Sequence, residues 1–416
     1  MFGANLVNPL EQDWRETLDN IARARGWPTS HDVAKLASRV VDLSRAYNDS
    51  THAQAAMSDA GAARLAFAFA RDVPKGAGAV RELVATGSLP LDRPLRVLDV
   101  GAGIGAMTWG LVRAIEAARA SMHRSASMPQ ASGQSSARVD ATWVDKDALA
   151  LDIGTAIVHA RARRGHGVQL RALAGSLARV RELGTFDIIL VGHVLSELDV
   201  GAADDTRMAA HVTMLCGLID RNLEEHGALV VVEPALRDRT RHLHRIRGAL
   251  ASLGFAVFAP CLHSAPCPAL ARDSDWCHED LAVDLPVWLI PVARAAGLRR
   301  QGLTFSYLVL RKRGSPTLVN AVAPRPGAGR LRVVSDVMVS KGKSEAFLCG
   351  EFAEGGALVA ARARVARLRR DHDQTWAKLK RGDVLTLEPA PELKRSPANL
   401  FRDGTRNNKP KDDESR

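Results

Sequence analysis

The chain has 416 residues, 46% of them apolar and 25% charged, enough for two or three domains with ordinary hydrophobic cores. Lys and Arg total 57 against 46 Asp and Glu, a formal net charge of +11. Such a surplus favours a polyanionic partner, because neutralised phosphates release counterions; an arginine-rich composition also produces it with no partner at all. No uninterrupted apolar run of about 18 residues occurs, so no membrane span is expected. The stretch MFGANLVNPLEQDWRETLDN carries Glu11, Asp13 and Glu16 where a targeting peptide would be basic and then apolar, and a cytoplasmic protein with reduced thiols is expected.

Residues 1–92 read as an N-terminal helical region without a clear strand. Within it, GAARLAFAFARDVPKGAGAVRELVATG has small and apolar residues at helical spacing and is expected to break near Val73-Pro74. From 93 to 313 short apolar strands alternate with helical segments. The strand candidates are RVLDVG (96–101), ATWVD (141–145), VQLRAL (168–173), FDIILVG (186–192), ALVVVEP (228–234) and TFSYLVLRKR (304–313). Continuous apolar runs of this kind suit parallel strands buried on both faces and joined by right-handed crossovers. The Ser-, Ala- and Gly-rich residues 120–138 read as a disordered insertion. Residues 314–387 read as a small C-terminal β unit followed by a basic helix, ARARVARLRRDHDQTWAKLKRGD, and 388–416 as a disordered tail.

VLDVGAGIGAMTWG (97–110) is a strand ending in a G-x-G-x-G turn that opens a helix. Gly101, Gly103 and Gly105 allow close backbone approach to a ligand, and the helix start offers unpaired N–H groups. Dinucleotide-binding folds use a related loop. With Asp99 two positions before the first glycine, the spacing suits S-adenosylmethionine better. Asp145, at the end of the second strand, is placed to accept both ribose hydroxyls; the competing reading is a helix cap. The expected fold is therefore α/β, a class I (Rossmann-like) S-adenosylmethionine-dependent methyltransferase domain carrying the two flanking regions.

Position 191–198, after the fourth strand, reads VGHVLSEL, where a base-amine methyltransferase has Asn or Asp followed by Pro-Pro. His193 and Glu197 are able to act on a proton there. The Pro-Cys pair of a carbon-5 pyrimidine methyltransferase occurs as Pro260-Cys261 and Pro266-Cys267, but after the fifth strand. No catalytic residue follows from the pattern.

Of five cysteines, Cys216 falls in an apolar helical pattern and reads as core. Cys261, Cys267 and Cys277 cluster in APCLHSAPCPALARDSDWCHED (259–280), and Cys349 lies 72 positions past Cys277 in AFLCGEF. Four thiolates satisfy either an iron–sulfur cluster or a tetrahedral zinc; a disulfide or inert thiols are the competing readings.

Several of these segments together resemble one family, the bacterial and mitochondrial methyltransferase-like proteins that associate with the small ribosomal subunit during its assembly. The matching runs are RLAFAFARDVP (64–74), VLDVGAGIGAMTWG, FDIILVGHVLSEL (186–198), LVVVEPALRDR (229–239), APCLHSAPCPALARDSDWCHEDL (259–281) and LTFSYLVLRK (303–312), with Cys349 beyond, covering roughly 60–385. The resemblance implies a [4Fe–4S] cluster on Cys261, Cys267, Cys277 and Cys349, with zinc as the alternative and His263 and His278 as spare ligands. Around the last cysteine this chain departs from the family's Asp-Leu-Cys-Thr, reading Phe347-Leu348-Cys349-Gly350. The implied function is an S-adenosylmethionine-binding factor of the small ribosomal subunit, with the basic stretches Arg237–Arg247 and Arg362–Arg381 meeting rRNA and no membrane partner. The rivals are an active rRNA base methyltransferase and a zinc-containing small-molecule methyltransferase.

Overall fold

Every described element before residue 95 is helical; the structure, a computed structural model, describes residues 4–48, 57–125, 139–318, 327–368, 376 and 378–393. Helix α1 (Gln12–Ala24) buries Trp14, Leu18 and Ile21, one stripe at helical spacing. The Trp14 ring meets Trp109 edge-on at 5.0 Å and Phe69 at 5.7 Å, which fixes α1 against the rest of the core. Helix α2 (Val33–Asn48) and helix α3 (Met57–Ala63) follow, and a π-helical turn, Arg64–Ala68, leads into helix α4 (Phe69–Ala85).

The expected break at Val73-Pro74 does not occur: α4 runs through Pro74. The irregularity falls upstream instead, in the π turn. Burial of nearly all of α4 outweighs one lost backbone hydrogen bond. Helix α5 (Ala106–Ser125) crosses α4 at backbone contact. A Cβ on Gly110 would lie 2.5 Å from the Val73 carbonyl oxygen and 2.7 Å from the Gly76 Cα, so glycine is required there.

The main sheet contains β1 (Leu95–Val100), β2 (Val139–Asp145), β3 (Val168–Ala174), β4 (Phe186–Gly192), β5 (Leu223–Glu233), β6 (Phe255–Ala259), β7 (Glu279–Leu281) and β8 (Leu303–Arg313). Its order is β3-β2-β1-β4-β5-β8-β6, with β7 on β8. The first five strands in that order are parallel and β8 is antiparallel to β5. Helices α6 (Ala148–Ala162), α7 (Asp204–Asn222), α8 (Arg237–Ser252) and α9 (Ile290–Ala295) complete the layers. Two apolar clusters cover the two faces of the sheet, α4 and α5 packing into one and α7 and α8 into the other. Among the described residues no helix is long and apolar enough to cross a membrane.

A second, antiparallel sheet is formed by β9 (Gly329–Val333), β10 (Met338–Ser340), β11 (Lys343–Glu354), β12 (Ala357–Leu368) and β13 (Val384–Leu387). The expected basic helix is overturned by β12, which pairs with β11 along its whole length. Its side chains repeat every second residue: Val359, Ala361, Ala363 and Val365 all join the small core of this sheet. That period-two face outweighs the helix propensity of Ala and Arg. Residues 369–375 and 377 lie outside the described residues.

The expected insertion at 120–138 begins later than anticipated, since α5 continues to Ser125, and 126–138 lie outside the described residues. Of the expected tail, 388–393 return to the sheet, where Glu392 bridges Ala353; 394–416 lie outside the described residues.

The two sheets meet across buried ion pairs. Arg332 of β9 stands 2.7 Å from Glu82 of α4, with the two side chains 6% and 1% exposed. Arg81 binds Glu279 of β7 at 2.5 Å, and Tyr307 of β8 donates to Glu82 at 3.2 Å. Arg362 of β12 binds Asp275 at 2.8 Å.

Candidate cofactor pocket and cysteine centre

The glycine turn rises from the end of β1 at the carboxyl edge of the sheet, the place where open α/β sheets bind ligands. Gly101, Gly103 and Gly105 have φ of 68°, 53° and 84°, a region natural to glycine. They do different work. A Cβ on Gly101 would strike Val194 at 2.4 Å and one on Gly105 the Trp143 ring at 2.1 Å, whereas Gly103 faces open space. Gly101 and Gly105 therefore let the turn pack, and Gly103 presents bare backbone to the cavity.

The Gly103 N–H donates to Asp145 Oδ2 at 2.7 Å, so the carboxylate stands beside the turn. The helix cap is a different residue: Asp147 accepts from the Ala150 N–H at 3.0 Å and begins α6. Asp99 lies beneath the turn and is 1% exposed. It accepts from the Thr108 N–H at 3.2 Å and hydroxyl at 2.7 Å, and Trp143 Nε1 donates to the same hydroxyl at 2.9 Å. Asp99 thus positions the turn from behind rather than facing the cavity.

Burial, assisted by the Asp145 charge, pushes the Asp99 carboxyl up to about 7 against the lowering by Thr108. A folded-state value above the ordinary 3.8 means that the folded protein holds a proton that the unfolded chain releases. Asp99 therefore costs no stability below about pH 4, and the cost accumulates as pH rises towards 7. Asp99→Asn mimics the protonated acid. Its stability relative to wild type is expected to improve steadily from pH 4 to 7 and then level off, by a few kcal/mol at most, since one pKa unit is about 1.4 kcal/mol. Urea midpoints across that range check this, and a pH-independent difference would reject it.

A cavity of about 1130 Å³ opens beside Gly101, Gly103 and Asp145. Single-ligand sites usually take roughly 300–1,000 Å³. Its far side is formed by α4, the π turn and the loop after β4. On α4, Lys75 pairs with Asp72 at 2.7 Å. Lys75 is buried and Asp72 half-buried, and despite desolvation Lys75 and its basic neighbours hold the Asp72 carboxyl at about 2. The loop after β4 is held by two bonds, from the His193 N–H to the Val232 carbonyl at 2.7 Å and from the Leu195 N–H to Glu233 Oε1 at 2.9 Å. His193 has φ 61° and its Nε2 is buried without a hydrogen-bond partner. Asp72 and Lys75 escaped sequence reasoning, although the three charges Arg71, Asp72 and Lys75 in the otherwise small and apolar run FARDVPKGAG were the available signal.

The four chosen cysteines converge. Cys261 follows β6, Cys267 precedes a short 3₁₀ turn (Pro268–Ala271), Cys277 precedes β7 and Cys349 lies within β11. All are free thiols. Burial raises the Cys349 thiol well above the ordinary range, and Cys277, Cys261 and Cys267 raise it further, so the three others are its near neighbours. Cys267 is pushed up to about 12 by burial and then by Cys261 and Cys277. His263 Nε2 stands 3.8 Å from Cys349 Sγ, while its Nδ1 and that of His278 are buried without partners. Cys216, on α7, has Asp220 and Arg313 rather than the other cysteines as its charged neighbours. Among the described residues no group of three or more His, Cys, Asp or Glu side chains stands arranged to hold a single metal ion.

Part of the basic stretch Arg237–Arg247 holds this segment, while Arg237 and Arg245 stay exposed and Arg239 lines the cavity. Arg241 Nη1 donates to the carbonyls of Ala269, Arg272 and Asp275 at 3.2, 2.6 and 2.7 Å. Arg247 binds the carbonyls of His263 and Ala265, and His244 bonds the Cys277 carbonyl at 2.9 Å. A loop without regular structure leaves carbonyls unpaired, and these donors satisfy them.

The strand order, with its antiparallel β8 inserted beside β5, and the glycine turn paired with a strand-end aspartate define a class I methyltransferase fold. The chain belongs to the family described as mitochondrial small ribosomal subunit Rsm22, whose model matches residues 65–378. No curated protein matches it. Among solved structures, the precorrin-6y C5,15-methyltransferase from Geobacter metallireducens GS-15 is 13% identical, covering 56% of this chain and 87% of that one, with a TM-score of 0.29. The plantazolicin methyltransferase BpumL in complex with SAH is 9% identical, covering 73% and 97%, with a TM-score of 0.32. The fibrillarin/Nop5p complex is 13% identical, covering 52% and 72%, with a TM-score of 0.27.

Proposed function

We propose that the protein is an S-adenosylmethionine-binding factor of the small ribosomal subunit that also carries a [4Fe–4S] cluster. The observation that carries the cofactor reading is Asp145 bonded to the bare backbone of Gly103 at the edge of the large cavity. A carboxylate at a second-strand end suits the two hydroxyls of a ribose, and the following helix start suits the remaining polar groups. Asp145→Ala is expected to weaken S-adenosylmethionine binding by 10- to 100-fold, the loss of charge-assisted hydrogen bonds worth about 1.5–3 kcal/mol. Isothermal calorimetry on the full chain decides it: unchanged affinity removes the assignment.

The donor chemistry fits the cluster. Four half-buried thiols crowd together; burial and the neighbouring thiols disfavour the thiolate at Cys267, Cys277 and Cys349, and a cationic iron core would reverse that penalty. Cys261, Cys267, Cys277 and Cys349 would hold it, tying the loop after β6 to β11 of the second sheet. When bound, the cluster supplies four iron–thiolate bonds between parts far apart in sequence. Membership of a family named for the mitochondrial small ribosomal subunit, together with the net charge of +11, supports that subunit and its rRNA as the partner.

A further inference from the structure

The cavity extends beyond what the glycine turn and Asp145 need, and its second half has its own chemistry. Leu43, Phe67 and Leu303 give it an apolar wall, and Arg64, Arg71 and Arg239 line it from the π turn, α4 and the start of α8. An apolar wall beside guanidinium groups suits a nucleobase with its phosphates. His193 lines the same cavity as both of these parts and the glycine turn.

Resting on the cofactor reading above, we propose that this half of the cavity receives a single RNA nucleotide turned out of its helix, and that His193 Nε2 accepts the proton released when its base is methylated. Three observations carry it. The side chain lines the cavity that holds Gly101 and Gly103. Nε2 is buried there with no partner, a costly arrangement unless a ligand meets it. The backbone is held in the left-handed region, φ 61°, by the bond from its N–H to Val232, and such conformations cluster at functional sites.

The groups facing His193 suit the role. Burial, then the Lys75 charge and the Arg71 and Arg239 charges, depress the imidazole to about 4 against the opposing pull of Asp72. The ring is therefore neutral near pH 7, and with its proton on Nδ1 it leaves Nε2 as an acceptor. In the step itself, the base nitrogen donates its lone pair to the sulfonium methyl carbon. The N–C bond forms as the S–CH₃ bond breaks, and that electron pair remains on sulfur in S-adenosylhomocysteine. The nitrogen becomes strongly acidic as it gains the methyl group, so a weakly basic imidazole suffices to take its proton. The Asp72 charge favours the resulting imidazolium.

The test uses the full chain, methyl-labelled S-adenosylmethionine, and two probes: deproteinised small-subunit RNA and salt-washed small subunits. His193→Asn keeps a residue that tolerates positive φ but cannot take the proton. It is expected to bind S-adenosylmethionine as wild type does and to transfer label at least 100-fold more slowly, the usual scale of a lost general base being about 10²–10⁴. His193→Gln serves in its place if the Asn variant loses cofactor binding. Transfer within threefold of wild type in the variant overturns the proposal. So does wild-type protein that binds S-adenosylmethionine yet labels neither probe, an outcome that leaves the cofactor reading intact. Wild-type protein that fails to bind S-adenosylmethionine overturns both.

Discussion

Glu82→Ala is expected to destabilise the folded chain by about 3–5 kcal/mol, the usual cost of removing one partner from a buried ion pair. Glu82 is 1% exposed and receives Arg332 at 2.7 Å and the Tyr307 hydroxyl at 3.2 Å. Burial alone would lower the Arg332 guanidinium; the Glu82 charge and then Tyr307 hold it above the ordinary arginine range. With Glu82 gone, Arg332 is left charged in the seam between the sheets, and its Nε and Nη2 already lack hydrogen-bond partners there. The remaining donation, from Nη1 to the Gly382 carbonyl at 2.9 Å, does not neutralise it. The double variant Glu82→Ala/Arg332→Met should recover much of the loss, because it removes the stranded charge. Urea denaturation of the single and double variants checks both claims. A single-variant loss under about 1 kcal/mol, the level of an exposed pair, would mean that the seam is wet or not formed in solution.

This seam also explains what the sequence could and could not reveal. VLDVGAGIG and Asp145 were readable because their chemistry is local: a strand, a turn that needs positive φ, and a carboxylate at the next strand's end. Six of the eight main-sheet strands were readable as short, mostly apolar runs, whereas β6 and the three-residue β7 were not. Glu82 and Arg332 are 250 positions apart, and nothing near either in sequence announces the other. Asp99 was readable as part of the loop motif but not as a residue buried behind it, since burial depends on Thr108 and Trp143 converging from α5 and β2. β12 was misread because alanine and arginine favour helices locally, while the alternation Val359, Ala361, Ala363, Val365 acquires meaning only once β11 lies alongside.

Helix α4 joins these observations. Its first half places Asp72 and Lys75 on the cavity, and its second half places Arg81 and Glu82 in the seam. Arg81 binds Glu279, two positions after Cys277. One rigid, almost wholly buried helix therefore spans the distance between the cofactor pocket and the cysteine segment, and the backbone contact of Gly76 and Gly110 fixes it against α5.

The cysteine centre gives the second large expectation: Cys349→Ser should lose iron and acid-labile sulfide and lower stability by about 4 kcal/mol. That is the loop-closure value for a cross-link over a loop of this length, and it corresponds to roughly 5 °C in melting temperature for a chain of this size. Cys349 is the one donor that β11 supplies, so its loss opens the link between the second sheet and the loop after β6, whereas the other three remain on one segment. His263, 3.8 Å from Cys349, is the nearest substitute donor, and the double variant Cys349→Ser/His263→Ala removes it as well. Cys216→Ser is the control, because Cys216 has Asp220 and Arg313 rather than the four cysteines as its charged neighbours, and it should leave iron content unchanged. The decisive comparison is non-additivity: an iron chelator applied under anaerobic conditions should lower the wild-type melting temperature by the same amount and leave the Cys349→Ser protein unmoved. If the variant keeps its iron, or the chelator shifts both proteins equally, the four thiols do not act as one centre, and the two sheets are held together by the buried pairs of Glu82 and Arg362 and the apolar contacts around them.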